Sequence, residues 1–287
     1  MQLFATNYNA HVMWVYEALE RWLAERDIEF ILAQSKSEED VIEMAQNADI
    51  YLAFKFPVTE RILSSLPNLK LLMCSGSGYE FIDVDSATKH GILVTNTASY
   101  NVQDVAEHAL TLILAAVRRL PVLKNFSHQG EWQVGALVQP THRFRAQTVG
   151  LIGFGKIGQA VAWRLKALGF QILAHDAFVP AEQLQAQGIT SVTLNDLLAQ
   201  SDIVSLHVPL SAQTHHLISR EQLEHMKSSA WLVNTSRGPV VDENALINAL
   251  QSEQINGACL DVLEHEPPSL KNPLFDMNNV MITGHAA

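Results

Sequence analysis

The sequence predicts an α/β protein built from two parallel-sheet domains. Short apolar runs alternate with amphipathic stretches along the chain, the pattern of successive βα units. A GxGxxG stretch at 153–158 joins an apolar strand pattern to a helical one, as at the turns of an open parallel sheet. The length, 287 residues, suits about two domains, and 48% apolar against 17% charged residues allows large buried cores.

In a first domain spanning 1–98, residues 49–54 (DIYLAF) and 69–74 (LKLLMC) read as buried strands, too short for helices. Residues 59–63 supply about one helical turn between them. Residues 99–120 form one long helical pattern, apolar at Val102, Val105, Ala106, Ala109, Leu110, Ile113 and Leu114. This pattern leads into a second domain, 99–287. Residues 121–146 show no clear period and read as irregular. From Thr148 onward come six apolar strands: TVGLIGF (148–154), QILAHD (171–176), DIVSLHV (202–208), AWLVNTS (230–236), GACLDVL (257–263) and VMITG (280–284). Helical patterns separate the first five, most clearly at 241–250. Six such strands in βα order predict a doubly wound parallel sheet.

Lys plus Arg number 19 against 30 for Asp plus Glu, a formal balance of −11. Such a surface repels a phosphate backbone, so no nucleic-acid partner is expected. Cys74 and Cys259 lack CxxC spacing, which fits small core residues in a reducing compartment rather than a disulfide framework. No basic segment followed by an apolar run opens the chain, and no run reaches about 18 apolar residues. No membrane partner is therefore expected, and the cytoplasm is the expected location. The five Trp residues read as core rather than as stacking platforms.

Gly153, Phe154, Gly155, Lys156, Ile157 and Gly158 make up the glycine-rich turn, after TVGLI and before a helix. Gly153 permits the tight turn, Gly155 lets backbone approach a pyrophosphate, and Gly158 lets helix and strand pack closely. The helix N-terminus offers free N–H groups and its positive dipole end to the phosphates. An ordinary glycine-rich turn is the plain alternative, but the strand–turn–helix context favours a dinucleotide. Asp176 ends the next strand, where a carboxylate accepts from ribose hydroxyls and repels a 2′-phosphate. Ala177, Phe178 and Val179 supply no cation for that phosphate, so NAD is favoured over NADP. A methyltransferase also uses such a turn but has no need of the residues that follow.

Arg237, Glu266 and His285 lie beyond the carboxyl ends of late strands, where open α/β sheets place ligands. A 2-oxo acid presents a carboxylate beside a carbonyl, and planar Arg hydrogen-bonds both. Hydride arrival at the carbonyl carbon leaves charge on oxygen, which His can protonate near neutral pH. A carboxylate on the other imidazole nitrogen fixes the ring and favours its protonated form. Taken singly, Arg237 could be a helix-flanking surface residue, Glu266 a solvated loop carboxylate and His285 a tail residue. Together, after successive strands, they point to a site.

These segments resemble the D-isomer-specific 2-hydroxyacid dehydrogenases. The matching stretches are VGLIGFGKIG (149–158), LHVPLSAQTHHLI (206–218), LVNTSRGPVVDENAL (232–246), LDVLEHEPP (260–268) and TGHAA (283–287), with GSGYEFID (76–83) and NVQDVAEHALTLILA (101–115) before them. The resemblance implies a flavodoxin-like substrate domain and a Rossmann NAD-binding domain. It implies an NAD-dependent oxidoreductase acting on a small 2-oxo or 2-hydroxy acid, with Arg237, Glu266 and His285 catalytic. By the same resemblance Ser77, Gly78 and Asn101, with Arg237, bind the substrate. His207, Val208, Pro209 and Thr214 line the cofactor, Thr235 and Ser236 approach the nicotinamide, and Asp261 bonds its carboxamide. A homodimer is expected.

Family members usually continue past the His segment with a helix that returns to the first domain, whereas this sequence stops two residues after His285. It also reads TGH where TPH is common. Glyoxylate, hydroxypyruvate or a related acid is the expected substrate, and phosphoglycerate is an option if Lys55 contacts a phosphate. A formate dehydrogenase of the same superfamily would have Gln in the Glu266 role. The alternative from another class is an NAD(H)-sensing corepressor-like interaction protein, which would keep the same residues. Adjacent His215 and His216 have no acidic or Cys partner at ligand spacing, so they read as surface residues and no metal is expected.

Overall fold

Strands covered on both faces by helices need apolar runs rather than alternation, and the described chain meets this need in two places. The computed structural model describes residues 1–6, 13–132 and 142–287. These divide into two compact units, Met1–Asn101 and Val102–Ala287.

The first unit runs β1 (Gln2–Thr6), α1 (Met13–Ala24), β2 (Glu29–Ala33), α2 (Glu38–Met44), β3 (Ile50–Ala53), α3 (Glu60–Ser65), β4 (Leu71–Cys74), α4 (Val84–Lys89) and β5 (Leu93–Thr95). Its strands form one parallel sheet in the order β2-β1-β3-β4-β5, the flavodoxin-like order. The strand patterns at 49–54 and 69–74 become β3 and β4, and the turn at 59–63 becomes α3. Phe4, Tyr51, Ile62, Leu63 and Leu72 fill the core on one face. Cys74, buried at the end of β4, donates from Sγ to the Gly78 carbonyl at 3.0 Å.

The second unit runs α5 (Val102–Val117), α6 (Leu120–His128), β6 (Thr148–Ile152), α7 (Lys156–Ala167), β7 (Gln171–His175), α8 (Ala181–Ala186), β8 (Thr190–Ser191), α9 (Leu194–Gln200), β9 (Ile203–Leu206), α10 (Arg220–His225), β10 (Trp231–Asn234), α11 (Glu243–Gln251), β11 (Gly257–Leu260) and β12 (Val280–Ile282). All pairings are parallel, in the order β12-β11-β10-β9-β6-β7-β8. Chain order reverses at β6, flanked by β7 and β9, so this is the doubly wound arrangement of a Rossmann domain. Successive β6 side chains face opposite ways: Leu151 joins the layer with Ile113, Leu165 and Val233, and Ile152 joins that with Leu206, Leu232 and Leu246.

Three expectations need correction. The sheet has a seventh strand, β8, whose two residues are too short to register as an apolar run. Part of the stretch read as irregular is helical: Arg119 takes the left-handed conformation (φ 50°) and ends the long pattern, and Pro121 stands in the first turn of α6. Pro fits there because the first N–H groups of a helix have no internal partner. The remainder of that stretch includes 133–141, which lie outside the described residues. Finally, Trp231 is buried, but Trp14, Trp22, Trp132 and Trp163 are exposed. The parallel-sheet cores are filled mainly by aliphatic side chains, with Phe, Tyr51 and Trp231 among them. Two of the outer indoles carry cations instead, with Arg26 lying 3.8 Å over Trp22 and Arg164 5.7 Å from Trp163.

Among the described residues no helix is long and apolar enough to cross a membrane. Leu151 is fully buried in the central strand. Leu151→Ala should lower unfolding free energy by about 3 kcal/mol, read from the urea midpoint at unchanged slope.

Candidate active site

All seven strands of the second unit run the same way, so residues just past their carboxyl ends share one edge of the sheet. Past β6, Gly153 has φ 94°, and a Cβ there would meet the His207 carbonyl carbon and oxygen at 2.7 Å. A Cβ at Gly158 would overlap the Gly153 carbonyl oxygen. Gly155 caps α7 without a side-chain hydrogen bond and has open space where a Cβ would point. The first turn of α7 therefore presents backbone N–H groups to open space, as binding of a pyrophosphate requires. The Phe154 side chain is buried in the core and Ile157 packs against it, so near this space both can offer only backbone.

Asp176, past β7, accepts from the Phe154 N–H at 2.7 Å on Oδ2 and from Phe178 and Val179 N–H at 2.8 and 3.0 Å on Oδ1. Burial works against its charge, but these three donors outweigh burial and hold the carboxyl below the usual range. A carboxylate has about four acceptor positions, so one remains for a ribose hydroxyl.

Past β9, the His207 N–H donates to Ile152 O at 2.7 Å, and its Nε2 lies 3.0 Å from Ser205 Oγ. Its Nδ1 is sealed from solvent without a partner, and burial pushes the ring down to about 4. Val208 lies against Gly153. Thr214 shapes the loop that follows, with Oγ1 donating to Pro209 O at 2.5 Å and accepting from Ser211 N at 2.8 Å. Thr235, past β10, also buries a hydroxyl with no partner. Orphaned polar atoms at His207 and Thr235 are what a nicotinamide nucleotide with its own donors and acceptors would satisfy.

Asn234 ends β10 and organises the next three residues. Its Oδ1 accepts from the Ser236 N–H and hydroxyl at 3.0 and 2.8 Å, and its Nδ2 donates to the Arg237 carbonyl at 2.9 Å. Arg237 is half-buried, and Nη1 donates to Ser236 O at 2.8 Å. Asp261, past β11, is buried; Oδ1 accepts from the Thr283 hydroxyl at 2.6 Å and the Ala286 N–H at 2.8 Å, and Oδ2 from the Ala287 N–H at 3.1 Å. Burial opposes this charge too, but Thr283, the two N–H groups and nearby His108 together keep the carboxyl low. The Thr283 proton is spent on Asp261, so His108 Nε2 is the donor in its 3.0 Å contact with Thr283 Oγ1.

Glu266 and His285 meet directly, Oε2 to Nδ1 at 2.5 Å. An ionised carboxylate only accepts, so Nδ1 carries the proton and faces Glu266. Gly284 (φ 67°) and His285 (φ 60°) are both left-handed, a conformation closed to the proline common before this His. Arg237 is tied to the pair through its neighbour: Gly238 packs against the Leu263 carbonyl, and the Leu263 N–H donates to Glu266 Oε1 at 3.1 Å.

In the first unit the Ser77 carbonyl accepts from Asn96 Nδ2 at 2.7 Å and the Gly78 carbonyl from Cys74, which fixes the orientation of this loop. Asn101 lies half-buried in a turn at the end of that unit, and Lys55 is exposed with φ 51°.

His215 is exposed, as expected, but His216 is not simply a surface residue. His216 is half-buried and its Nε2 lies 2.7 Å from Glu264 Oε1. The ligating atoms of His215, His216 and Glu264 fall within 4.8 Å, the one such group among the described residues. His216 and Glu264 satisfy one another, and Glu264 Oε2 accepts from Glu243 N–H at 3.1 Å, so the group is a hydrogen-bonded clasp. Sequence reasoning missed Asn234, Thr283, His108 and Glu264. For Asn234 the signal was available, as a polar residue closing an apolar run.

Residues 110–287 match the family model described as D-isomer specific 2-hydroxyacid dehydrogenase, NAD binding domain. Glyoxylate reductase from Korarchaeum cryptofilum is 39% identical over 254 residues, which cover 88% of this chain and 76% of that protein. D-3-phosphoglycerate dehydrogenase from Archaeoglobus fulgidus is 36% identical over 272 residues, 94% of this chain and 51% of that one. The crystal structure of D-lactate dehydrogenase from Aquifex aeolicus with NAD and lactic acid superimposes with a TM-score of 0.85 at 31% identity, covering 99% of this chain and 88% of that one.

A buried neutral His makes stability depend on pH. Unfolded His207 takes up a proton below about 6.5, whereas folded His207 resists it until about 4. The folded state should therefore lose up to about 3 kcal/mol as pH falls from 6.5 to 4. Urea unfolding at several pH values checks this, and His207→Asn should flatten the slope in that window.

Proposed function

This chain belongs to the D-isomer specific 2-hydroxyacid dehydrogenase family, NAD-dependent oxidoreductases, and we propose that it interconverts a small 2-oxo acid and the D-2-hydroxy acid, with His285 as general acid and base. The His285–Glu266 pair past β12 and β11 carries this reading. Glyoxylate, hydroxypyruvate and close analogues are the proposed substrates, and relatives named glyoxylate reductase and glycerate dehydrogenase support that class.

The bound nicotinamide supplies or accepts the hydride. Gly153, Gly155, Lys156 and Gly158 would hold the pyrophosphate and Asp176 the ribose. His207 to Pro209, Thr214, Thr235, Ser236 and Asp261 would line the rest. Arg237 would grip carboxylate and carbonyl oxygens with two N–H groups, and the Ser77–Gly78 loop and Asn101 are proposed as anion-binding groups. In reduction His285 Nε2 delivers a proton to the carbonyl oxygen, and Glu266 stabilises the charged ring. In oxidation Nε2 takes the proton back. No step in this scheme calls on a metal. We read the protein as a cytoplasmic homodimer; two buried free thiols fit a reducing compartment.

Turnover of a panel of 2-oxo acids with NADH tests the assignment, and tight NADH binding without turnover of any of them would overturn it. Asp176 should favour NADH over NADPH on the order of a hundredfold, because its charge meets the 2′-phosphate. Titrating both nucleotides into wild type and Asp176→Ser checks this. Arg237→Lys keeps the charge but loses the planar fork, and should cost on the order of 3 kcal/mol in kcat/KM with NADH affinity retained. Glu266→Gln removes the charge that favours the protonated ring. The alkaline limb of kcat/KM for reduction should then move to lower pH, and oxidation should improve relatively in acid. An unmoved limb, or one moved to higher pH, would remove Glu266 from this role.

A further inference from the structure

The peptide between Leu263 and Glu264 is a junction for two arms of the site. On one side, Gly238 follows Arg237 and has no room for a Cβ against the Leu263 carbonyl and Glu264 nitrogen. On the other, one peptide unit upstream, the Leu263 N–H donates to Glu266 Oε1 at 3.1 Å. Any shift of this peptide moves the exit of Arg237 from β10 and the carboxylate facing His285.

The junction is clasped by groups with no part in the proposed proton transfer. Glu264 N–H donates to Glu243 Oε2 at 2.9 Å, and Glu243 N–H returns a bond to Glu264 Oε2 at 3.1 Å. Asn272 Nδ2 donates to Glu243 Oε1 at 2.8 Å and so fixes the first residue of α11 from a third loop. His216 closes the clasp twice. Its backbone N–H donates to the Pro239 carbonyl at 2.8 Å, inside the turn that follows Arg237, and its ring lies 2.7 Å from Glu264 Oε1. With the carboxylate ionised, Nε2–H is the donor. His216 holds this bridge from a left-handed backbone (φ 51°), which is uncommon for any residue but glycine.

We propose that His216 and Glu264 are positioning residues for the reaction: by clasping the Leu263–Glu264 peptide they hold Glu266 against His285 and set the course of Arg237. The proposal rests on the roles of Arg237, Glu266 and His285 given above. Without the His216 ring, Glu264 Oε1 loses its donor and turns to water, and the peptide is free to drift by fractions of an ångström. Misplacement on that scale is costly for proton transfer and carboxylate capture, and of no consequence to the glycine turn past β6.

The test compares His216→Ala, His216→Gln and Glu264→Ala with Glu266→Gln and His285→Ala. Glyoxylate is the substrate, or whichever 2-oxo acid turns over best. The readouts are kcat, KM, the pH profile of kcat/KM, the NADH dissociation constant from fluorescence, and Tm. His216→Ala should lower kcat on the order of tenfold and raise KM for the oxo acid. It should also displace the alkaline limb in the direction that Glu266→Gln does, with NADH binding unchanged. The amide of His216→Gln offers a replacement donor under the same backbone constraint as Ala and should recover most of the loss. Wild-type kinetics in His216→Ala and Glu264→Ala, with Glu266→Gln and His285→Ala impaired, would overturn the clasp and leave the catalytic reading intact. Full activity in Glu266→Gln and His285→Ala would overturn both. A loss that tracks Tm and NADH-binding capacity alike, with the pH profile unmoved, would reduce the clasp to a stability element and also overturn the proposal.

Discussion

The buried carboxylate of Asp261 is the constraint on which the late-strand half of the site depends. An ionised group with 2% of its surface exposed must be hydrogen-bonded throughout, because a buried charge without partners is far more costly than the bonds that satisfy it. Asp261 is the first residue past β11, and its donors are the hydroxyl and two N–H groups past β12. Satisfying the charge therefore dictates the path of the neighbouring segment. The Asp261 carbonyl adds to this by accepting from the His285 N–H at 2.6 Å. His285 arrives opposite Glu266 because both its flanks are tied to a single residue.

The cofactor side is arranged on the opposite principle. There the backbones of Gly153, Gly158 and His207 pack too closely for any β-carbon, and Asp176 is bonded to the turn it faces. Yet His207 Nδ1 and Thr235 Oγ1 are left buried without partners. Each such atom costs about 1–3 kcal/mol, an unfavourable term that a ligand carrying complementary groups can cancel. A nucleotide that satisfied these atoms would thereby stabilise the fold, as any group that binds only the folded chain does.

This contrast explains how much could be read from sequence. Apolar runs, a glycine turn between strand and helix, and polar residues at strand ends obey local rules, so both parallel sheets, the 153–158 turn and the positions of Asp176, Arg237, Glu266 and His285 past their strands were legible. What escaped was either too short or made through space. The two residues of β8 carry no periodic signal, and residues 121–128 show no clear period although they lie in α6. His108 lies 175 residues from the Thr283 it holds, and Glu264 is 48 residues from His216. Spacing along the chain gives His216 no acidic partner, because Glu264 reaches it from a different strand end. The Trp positions were misjudged because hydrophobicity was taken for burial. An indole on the outer face of a helix is stable when a guanidinium covers it, as Arg26 does at Trp22.

Glu266 and Asp261 are five residues apart in sequence, both carboxylates on one loop, and the structure gives them opposite surroundings. Asp261 is enclosed and bonded to fixed donors that hold its carboxyl below the usual range, and those bonds fix the neighbouring segment. Glu266 and His285 retain about a third of their side-chain exposure, 31% and 34%. A pair with the proposed task of passing protons to a small acid must be reachable by it, so it cannot also be the group that holds the backbone in a sealed core. The fold resolves the conflict by dividing the tasks between neighbouring strand ends. The rigid charge lies inside and fixes where the imidazole stands, and the Glu266–His285 pair lies at the rim, open to solvent.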